Sequence, residues 1–556
     1  MSQRKLSFFS STLCAAAVLA ATPFASVNDD GDVLEAARRK SVLEALAVPL
    51  TINGEKVSEG AVRRSLVYSK GTTILESRKV DLFIEAEIER QVKAGTPRSK
   101  FELTSDDVDT EMEAAEARVR EEFPDRSVED LIGPAGLDRS GLRDQVEQGK
   151  LFDVVFLPEN PREWPDTTVA AIQSQAGQEF IDKLTEGYDL RQTTGEEGDP
   201  DSAGHQLWKN IMRQFVMKAL NDASLLTPAS ELPDDVALEV DGQRLMTEEI
   251  FSVLLDRGRL SAHDVNQERL WFAKTHALEQ ALRKAGYWIE DEEFEVLWEE
   301  EEAPYRDSPF NLQVIAVGFR KFPSMDAFKR YTRLLKSYER MIQDEINDGN
   351  LKEHLTRADR LLGLGKVRAD VLLVSAFSFD KGRMKQGGWA EAEARSIKIA
   401  EELAEKLGAA ETQEEQDAIW NAAMDKYSDF KDNPVAKSQQ GTAENRKYNK
   451  GRFKLLHRNE LVQSLGESDY SMFLTGTSVV DHIFFDQETG EIDGPFKGAL
   501  GYYITKVVDR QSPTKRLSVE NEGQRDLIRQ DYLSVRFNQY AEEVLAASKV
   551  EGLAAR

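Results

Sequence analysis

The chain has 556 residues, enough for about three or four domains of ordinary size. Its 72 Lys and Arg stand against 99 Asp and Glu, a formal net charge of −27. That carboxylate excess argues against non-specific nucleic-acid binding, which needs cations to displace the counterions of phosphate, and against adhesion to an anionic membrane surface. Apolar residues at 40% and aromatics at 8% suffice for packed cores, while 31% charged residues point to a helix-rich chain with much solvated surface. No apolar run reaches the roughly 18 residues of a spanning helix, so no permanent membrane anchor is expected.

Residues 1–25 read as a secretory signal: Arg4 and Lys5, an apolar stretch from Leu6 to Ala21, then small residues, with cleavage after Ala25 or, second, after Ala20. The single cysteine, Cys14, lies inside that segment, so the mature chain is expected to hold neither a disulfide nor a thiol. Residues 26–47 are expected to be a flexible lead. From Leu50 a pattern begins that recurs. Residues 50–71 read LTINGEKVSEGAVRRSLVYSKG and residues 238–259 read LEVDGQRLMTEEIFSVLLDRGR. Asn53-Gly54 and Asp241-Gly242 are turn dipeptides between short strand-like pieces, at an offset of 188 residues (241 less 53). Ser58 and Thr247 stand where a helix N-cap belongs. A second helix is predicted over 76–95 and 267–286; both copies end in Lys-Ala-Gly, with Gly95 and Gly286 as C-caps. Acidic first turns follow at 104–108 and 290–294. These matches predict two copies of one helical module, over 48–230 and 236–352, with a loop at 192–204.

Beyond Lys366 the texture changes. VRADVLLVSAF, 367–377, reads as a buried strand. Residues 390–408 carry Ala394, Ile397, Ala400, Leu403 and Leu407 on one helical face, and a second helix is predicted over 410–427. Residues 431–450 are polar. GEIDGPFKGALGYYITKVVDR, 490–510, reads as a turn, a glycine-rich approach and a closing strand, and one long helix is predicted over about 517–548. The expected fold is therefore α+β and mostly helical: the two modules, a small α/β domain over 362–512, and a C-terminal segment, 513–556, packing on the helical part.

The opening V-R-A-x-x-L-L-V, the closing G-E-x-x-G-P-x-K…G-Y-x-I-x-K-V-x-D-R and the helical modules around them resemble the parvulin-type prolyl isomerase chaperones of the bacterial envelope, the SurA- and PrsA-like group. The resemblance implies a four-stranded antiparallel sheet flanked by helices, and a helical cradle for unfolded chains. It places the family's catalytic positions at Val371, Tyr503 and, near the Lys450-Gly451-Arg452-Phe453 run, Arg452. Two histidines and an acid or cysteine usually stand there, so the catalytic signature is eroded while the framework persists. It also implies an apolar pocket for a proline ring, lined by Leu373, Phe453, Met472, Phe473, Phe484 and Tyr503, with Leu372 and Phe485 nearby.

The six histidines show no metal-ligand spacing, and neither a metal nor a cofactor is expected. His482 reads as a sheet-end histidine and Tyr503 as a strand aromatic. Trp271, Phe272, Trp288, Trp298, Phe310, Phe319, Phe322, Met325, Phe328 and Tyr331 crowd the second module, either as a helical core or as part of a client groove. The resemblance implies an exported, periplasmic or envelope-associated folding helper with weak or lost isomerase activity, binding unfolded or extended polypeptide, including Pro-containing segments. The alternative is a non-catalytic scaffold binding one fixed folded partner.

Overall fold

The computed structural model describes residues 31–122, 139–157, 231–306, 312–362, 365–378, 383–385, 388–432, 448–449, 451–476 and 478–553, with single positions between 213 and 227. The expected signal segment, the first residues of the lead and the 192–204 loop lie outside the described residues, as does Phe310. Described residues 31–47 of the lead form a helix.

In chain order the elements are α1 (Gly31–Ala47), β1 (Leu50–Ile52), β2 (Glu55–Val57), α2 (Glu59–Lys70), α3 (Thr72–Lys93), α4 (Ser105–Glu122), α5 (Arg139–Phe156), β3 (Val236–Val240), β4 (Gln243–Met246), α6 (Thr247–Asp256), α7 (Ala262–Ala285), α8 (Asp291–Glu302), α9 (Met325–Met341) and α10 (Asp348–Leu362). Then come β5 (Lys366–Ser375), β6 (Phe377–Ser378), β7 (Arg383–Met384), α11 (Gly388–Ala409), α12 (Gln413–Tyr427), β8 (Tyr448–Asn449), β9 (Arg452–Phe453), α13 (Arg458–Leu465), α14 (Asp469–Thr475), α15 (Val479–Asp481), β10 (Ile492–Lys497), β11 (Gly501–Gln511), α16 (Glu522–Ala547) and β12 (Val550–Glu551). The mostly helical α+β class read from the sequence is the class observed.

Local chemistry accounts for many boundaries. Asn53 and Gly54 have φ of 52° and 90°, and Asp241 and Gly242 have 51° and 80°. Two successive positive φ values define the tight turn that matches strand twist, and Asn, Asp and Gly tolerate them. Ser58 Oγ accepts from the Ala61 N–H at 2.9 Å, as expected of a cap. Thr247 does not cap α6: it is the first helical residue, and its hydroxyl donates to Asp234 O at 3.0 Å. α7 opens on a capping box between Ser261 and Asp264 and closes on Gly286 at φ 79°.

The chain divides into two compact units, one of residues 71–253 and one that joins the segment ending at Lys70 to residues 254–556. The first unit is cored by Ile84 and Ile88 of α3, Phe101, and Phe152 and Val155 of α5. In the second, Trp271, Leu278 and Leu282 of α7 pack with Phe294 and Trp298 of α8, Phe328, Tyr331 and Leu334 of α9, and Leu533 and Phe537 of α16.

Also within the second unit, an antiparallel sheet runs β10-β11-β5-β9-β8. It has five strands rather than the four implied by the resemblance, because the two-residue β8 pairs with β9 at the edge. The central strand β5 is buried on both faces, which explains its nearly unbroken apolar run. Val367, Ala369, Val371 and Leu373 face one core with Phe453, Leu461, Leu465, Ile483 and Val507. Leu372 and Val374 face the other, against Ile399 and Leu403 of α11 and Trp420 and Met424 of α12.

Candidate functional site: the sheet face and the cleft beside it

β11 lies antiparallel beside β5, with Tyr503 opposite Leu373 and Thr505 opposite Val371. Side chains alternate along each strand, so this register delivers Val371, Leu373 and Tyr503 to the same face. Gly451 lets β9 close on that strand: the Val371 N–H donates to Gly451 O at 2.8 Å, and Gly451 has φ 94°. A Cβ at Gly451 would stand 2.3 Å from Val371 O.

Arg452 pairs with Asp370 and therefore looks to the opposite face from Val371. Its guanidinium donates to Asp425 Oδ1 and to Asn421 Oδ1, each at 3.2 Å, both on α12. Asp370 on that face accepts from Trp420 Nε1 at 3.1 Å, and burial raises its carboxyl pKa. Of the three positions implied as catalytic, Val371 and Tyr503 meet and Arg452 stands apart. Phe453, one residue on, is the β9 side chain that joins them.

Val371 and Tyr503 are both 0% exposed. The Tyr503 hydroxyl donates to Leu465 O at 3.0 Å and accepts from the Leu500 N–H at 3.2 Å. Burial drives its phenol far above the usual value, so it stays protonated. Leu373, Phe453 and Phe484 are at most 3% exposed. Leu461 and Leu465 of α13, with Val479, Val480 and Ile483, fill the space in front of them. The face is packed core where the sequence predicts an open proline pocket.

Phe473 does not reach this face. It inserts, with Leu474, into the helical core, where its ring meets Trp271 at 5.5 Å, Tyr331 at 5.3 Å and Phe537 at 5.9 Å between centroids. Met472 instead borders a small cleft of about 40 Å³, together with His263, Trp389, Glu467, Leu474 and Lys497. His263 stacks on Trp389 with centroids 4.6 Å apart, and Lys497 Nζ lies 5.4 Å from the same ring. Burial lowers the His263 pKa to about 4, so the ring is neutral at neutral pH. Trp389 Nε1 is buried without a hydrogen-bond partner. Glu467 accepts from Ser478 Oγ at 2.6 Å and from the Val479 N–H at 2.8 Å, and its burial raises its pKa.

Trp389 and Lys497 were not legible as site residues. They reach the cleft from segments far apart in the chain, and no spacing connects them. His482 has its ring 4.4 Å from Phe496 and its Nε2 3.0 Å from Asp493 Oδ2, at the end of the sheet. Of the aromatics between positions 271 and 331, Trp271, Trp298, Phe322, Phe328 and Tyr331 are buried core, whereas Phe319 is 61% exposed. Among the described residues no group of His, Cys, Asp and Glu is placed to hold a metal ion.

No protein-family model matches the chain, and no curated protein matches it. It is similar to solved structures of peptidylprolyl isomerase PrsA. For PrsA from Bacillus cereus the identity is 17% and the TM-score 0.20, covering 56% of this chain and 90% of that one. For Bacillus anthracis the figures are 14%, 0.19, 49% and 92%. For PrsA from Bacillus subtilis they are 17%, 0.15, 56% and 91%.

Proposed function

We propose that this protein is an exported folding helper of the bacterial envelope that holds extended polypeptide, and that its parvulin-like domain, residues 362–512, turns over prolyl bonds weakly or not at all. The observation that carries the second half is the packed face around Val371 and Tyr503. Prolyl isomerisation must cross a barrier of about 18–20 kcal/mol. Lowering it takes a pocket that seats the ring and polar groups that favour the twisted amide over the planar one. Val371 has no polar group, and the Tyr503 hydroxyl is engaged by Leu465 and Leu500. A surface that binds both amide states equally holds a chain without accelerating it.

Holding is supported by the cleft beside that face. Met472 supplies apolar wall, while the exposed Lys497 supplies a donor suited to peptide carbonyls. Export is supported by the signal-like residues 1–25. The decisive measurement pairs two assays on the full mature chain. It should suppress aggregation of several unrelated unfolded proteins while showing no more than marginal rate enhancement in a protease-coupled isomerisation assay. Robust turnover would refute the catalytic half, and failure to protect any unfolded protein would refute the holding half.

The scaffold reading is favoured by a different observation. The aromatic cluster of the second module is buried core, and Phe473 and Leu474 are sealed into it. A scaffold of this kind would protect no unfolded protein and would retain one folded partner.

A further inference from the structure

The two hairpins end in the same bonding pattern, made with different parts of the chain. At β1, the Asn53 N–H donates to Lys549 O at 2.8 Å and the Lys549 N–H donates to Asn53 Oδ1 at 2.8 Å. At β3, the Asp241 N–H donates to Leu225 O at 2.9 Å and the Leu225 N–H donates to Asp241 Oδ1 at 2.8 Å. One position further, Ile52 pairs with Val550 and Val240 pairs with Leu226. At the next position, Thr51 Oγ1 donates to Glu551 at 3.2 Å, and Thr227 Oγ1 donates to Glu239 at 2.8 Å: the same Thr–Glu pair with its sides reversed. Asn53 and Asp241, Ile52 and Val240, and Thr51 and Glu239 all stand at the 188-residue offset of the sequence repeat.

Each docking strand follows helical residues: α16 precedes 549–551, and the described positions from 213 to 221 are helical ahead of 225–227. The two segments are thus equivalent ends of the two copies. A hairpin closing on its own copy would pair 50–57 with 225–227 and 236–246 with 549–551. The observed pairing is the other one.

The helices follow the hairpins. α2 belongs to the unit built on the second copy's body, where Ser65 Oγ donates to Glu268 at 2.5 Å and Lys70 pairs with Asp264 at 2.8 Å. In that unit Arg269 of α7 donates to Ala45 O at 2.9 Å and to Gly552 O at 2.6 Å, tying the leading and closing segments together. Reciprocally, β3, β4 and most of α6 belong to the unit built on the first copy's body, where β3 packs on α3 as β1 packs on α7.

We infer that the chain is an exchanged pair of modules in one polypeptide, each copy lending its leading hairpin and first helix to the body of the other. Chain closure favours this arrangement. The strand at 225–227 lies just upstream of β3 and closes a short loop on it, whereas pairing with β1 would close a far longer one. The short pairing leaves β1 and β12, near the two ends of the described chain, for each other. The inference stands apart from the folding-helper reading, because it rests on the pairing of the hairpins and the packing of the helices that follow them, not on any binding or catalytic property.

Disulfide trapping tests it, in a background where Cys14, the one cysteine, is replaced by Ser. Directly opposed strand positions have Cα atoms about 4.5–5.5 Å apart, within disulfide reach. Thr51→Cys with Glu551→Cys, and separately Thr227→Cys with Glu239→Cys, should each give an intramolecular crosslink on mild oxidation, read by peptide mapping. Thr51→Cys with Thr227→Cys, and Glu239→Cys with Glu551→Cys, should give none. The reverse outcome would establish unexchanged modules and overturn the inference. Crosslinked dimers from the first two pairs would move the exchange between chains and overturn it equally.

Discussion

Single side chains separate packing from chemistry on the sheet face. Tyr503→Phe removes a hydroxyl that bridges Leu465 O and the Leu500 N–H, leaving both without that partner in a dry core. The expected cost is about 1–2 kcal/mol in denaturant unfolding, with no change in the residual isomerisation rate; a large fall in rate at unchanged stability would restore a catalytic role to Tyr503. Glu268 carries a pH signature. It is buried, and desolvation raises its pKa despite the hydroxyls of Ser65 and Ser69 and the nearby Lys70. Its acid form is therefore favoured in the fold more than in the unfolded chain. That contribution is present at low pH and is lost as pH rises through the folded-state pKa. Glu268→Gln should raise the thermal midpoint at neutral and alkaline pH and leave it nearly unchanged in acid, as scans from about pH 4 to 8 would show. An equal shift at every pH would contradict the assignment.

Among the elements, two short ones decide how the sheet built on β5 and its surroundings are held. β9 docks on β5 only because Gly451 accepts a positive φ and a near approach to Val371 O. Gly451→Ala should destabilise that sheet by about 2 kcal/mol or more, measurable as local loss of amide protection in β5 and β9. α14 is a peg: Phe473 and Leu474 enter the helical core, and the buried Lys274 ammonium donates to Phe473 O at 2.5 Å and to the Glu542 carboxylate. Phe473→Ala should cost about 3–5 kcal/mol by opening a cavity among Trp271, Tyr331 and Phe537. The same substitution should leave the Val371 face intact. If it abolished that packing instead, Phe473 would belong with the sheet after all.

At the scale of the whole molecule, the basic start, apolar middle and small-residue end of residues 1–25 make export the expectation with the plainest test. N-terminal sequencing of the mature protein should find a chain beginning just after Ala25 or Ala20, and a chain beginning at Met1 would refute it. Within each unit a hairpin is completed by a strand from elsewhere in the chain, β12 for β1 and residues 225–227 for β3. Truncation after Ser548 should therefore weaken the second unit by removing the partner of β1, and it should leave amide protection in β3 and β4 unchanged.

The features legible in the residues are those with local causes. Asn53-Gly54 and Asp241-Gly242 specify their turns because the needed positive φ values are properties of those residue types. Gly286 ends α7 for the same reason, and the apolar run of β5 announces a strand buried on both faces. The mostly helical α+β class follows from such signals read in order. Features that join distant segments were not legible. Periodicity cannot say which strand completes a hairpin, so the partners of β1 and β3 emerge only when chain closure and packing are settled together. The resemblance places Arg452 with Val371, but a one-residue step in register puts its side chain on the other face. It places Phe473 in a proline pocket, yet the helical core offers that ring a fully apolar surround, and residues from α13 to Phe484 fill the face it would have lined. The cleft of His263, Trp389, Met472 and Lys497 belongs wholly to the tertiary structure, because no local signal links side chains that meet only after the chain has folded.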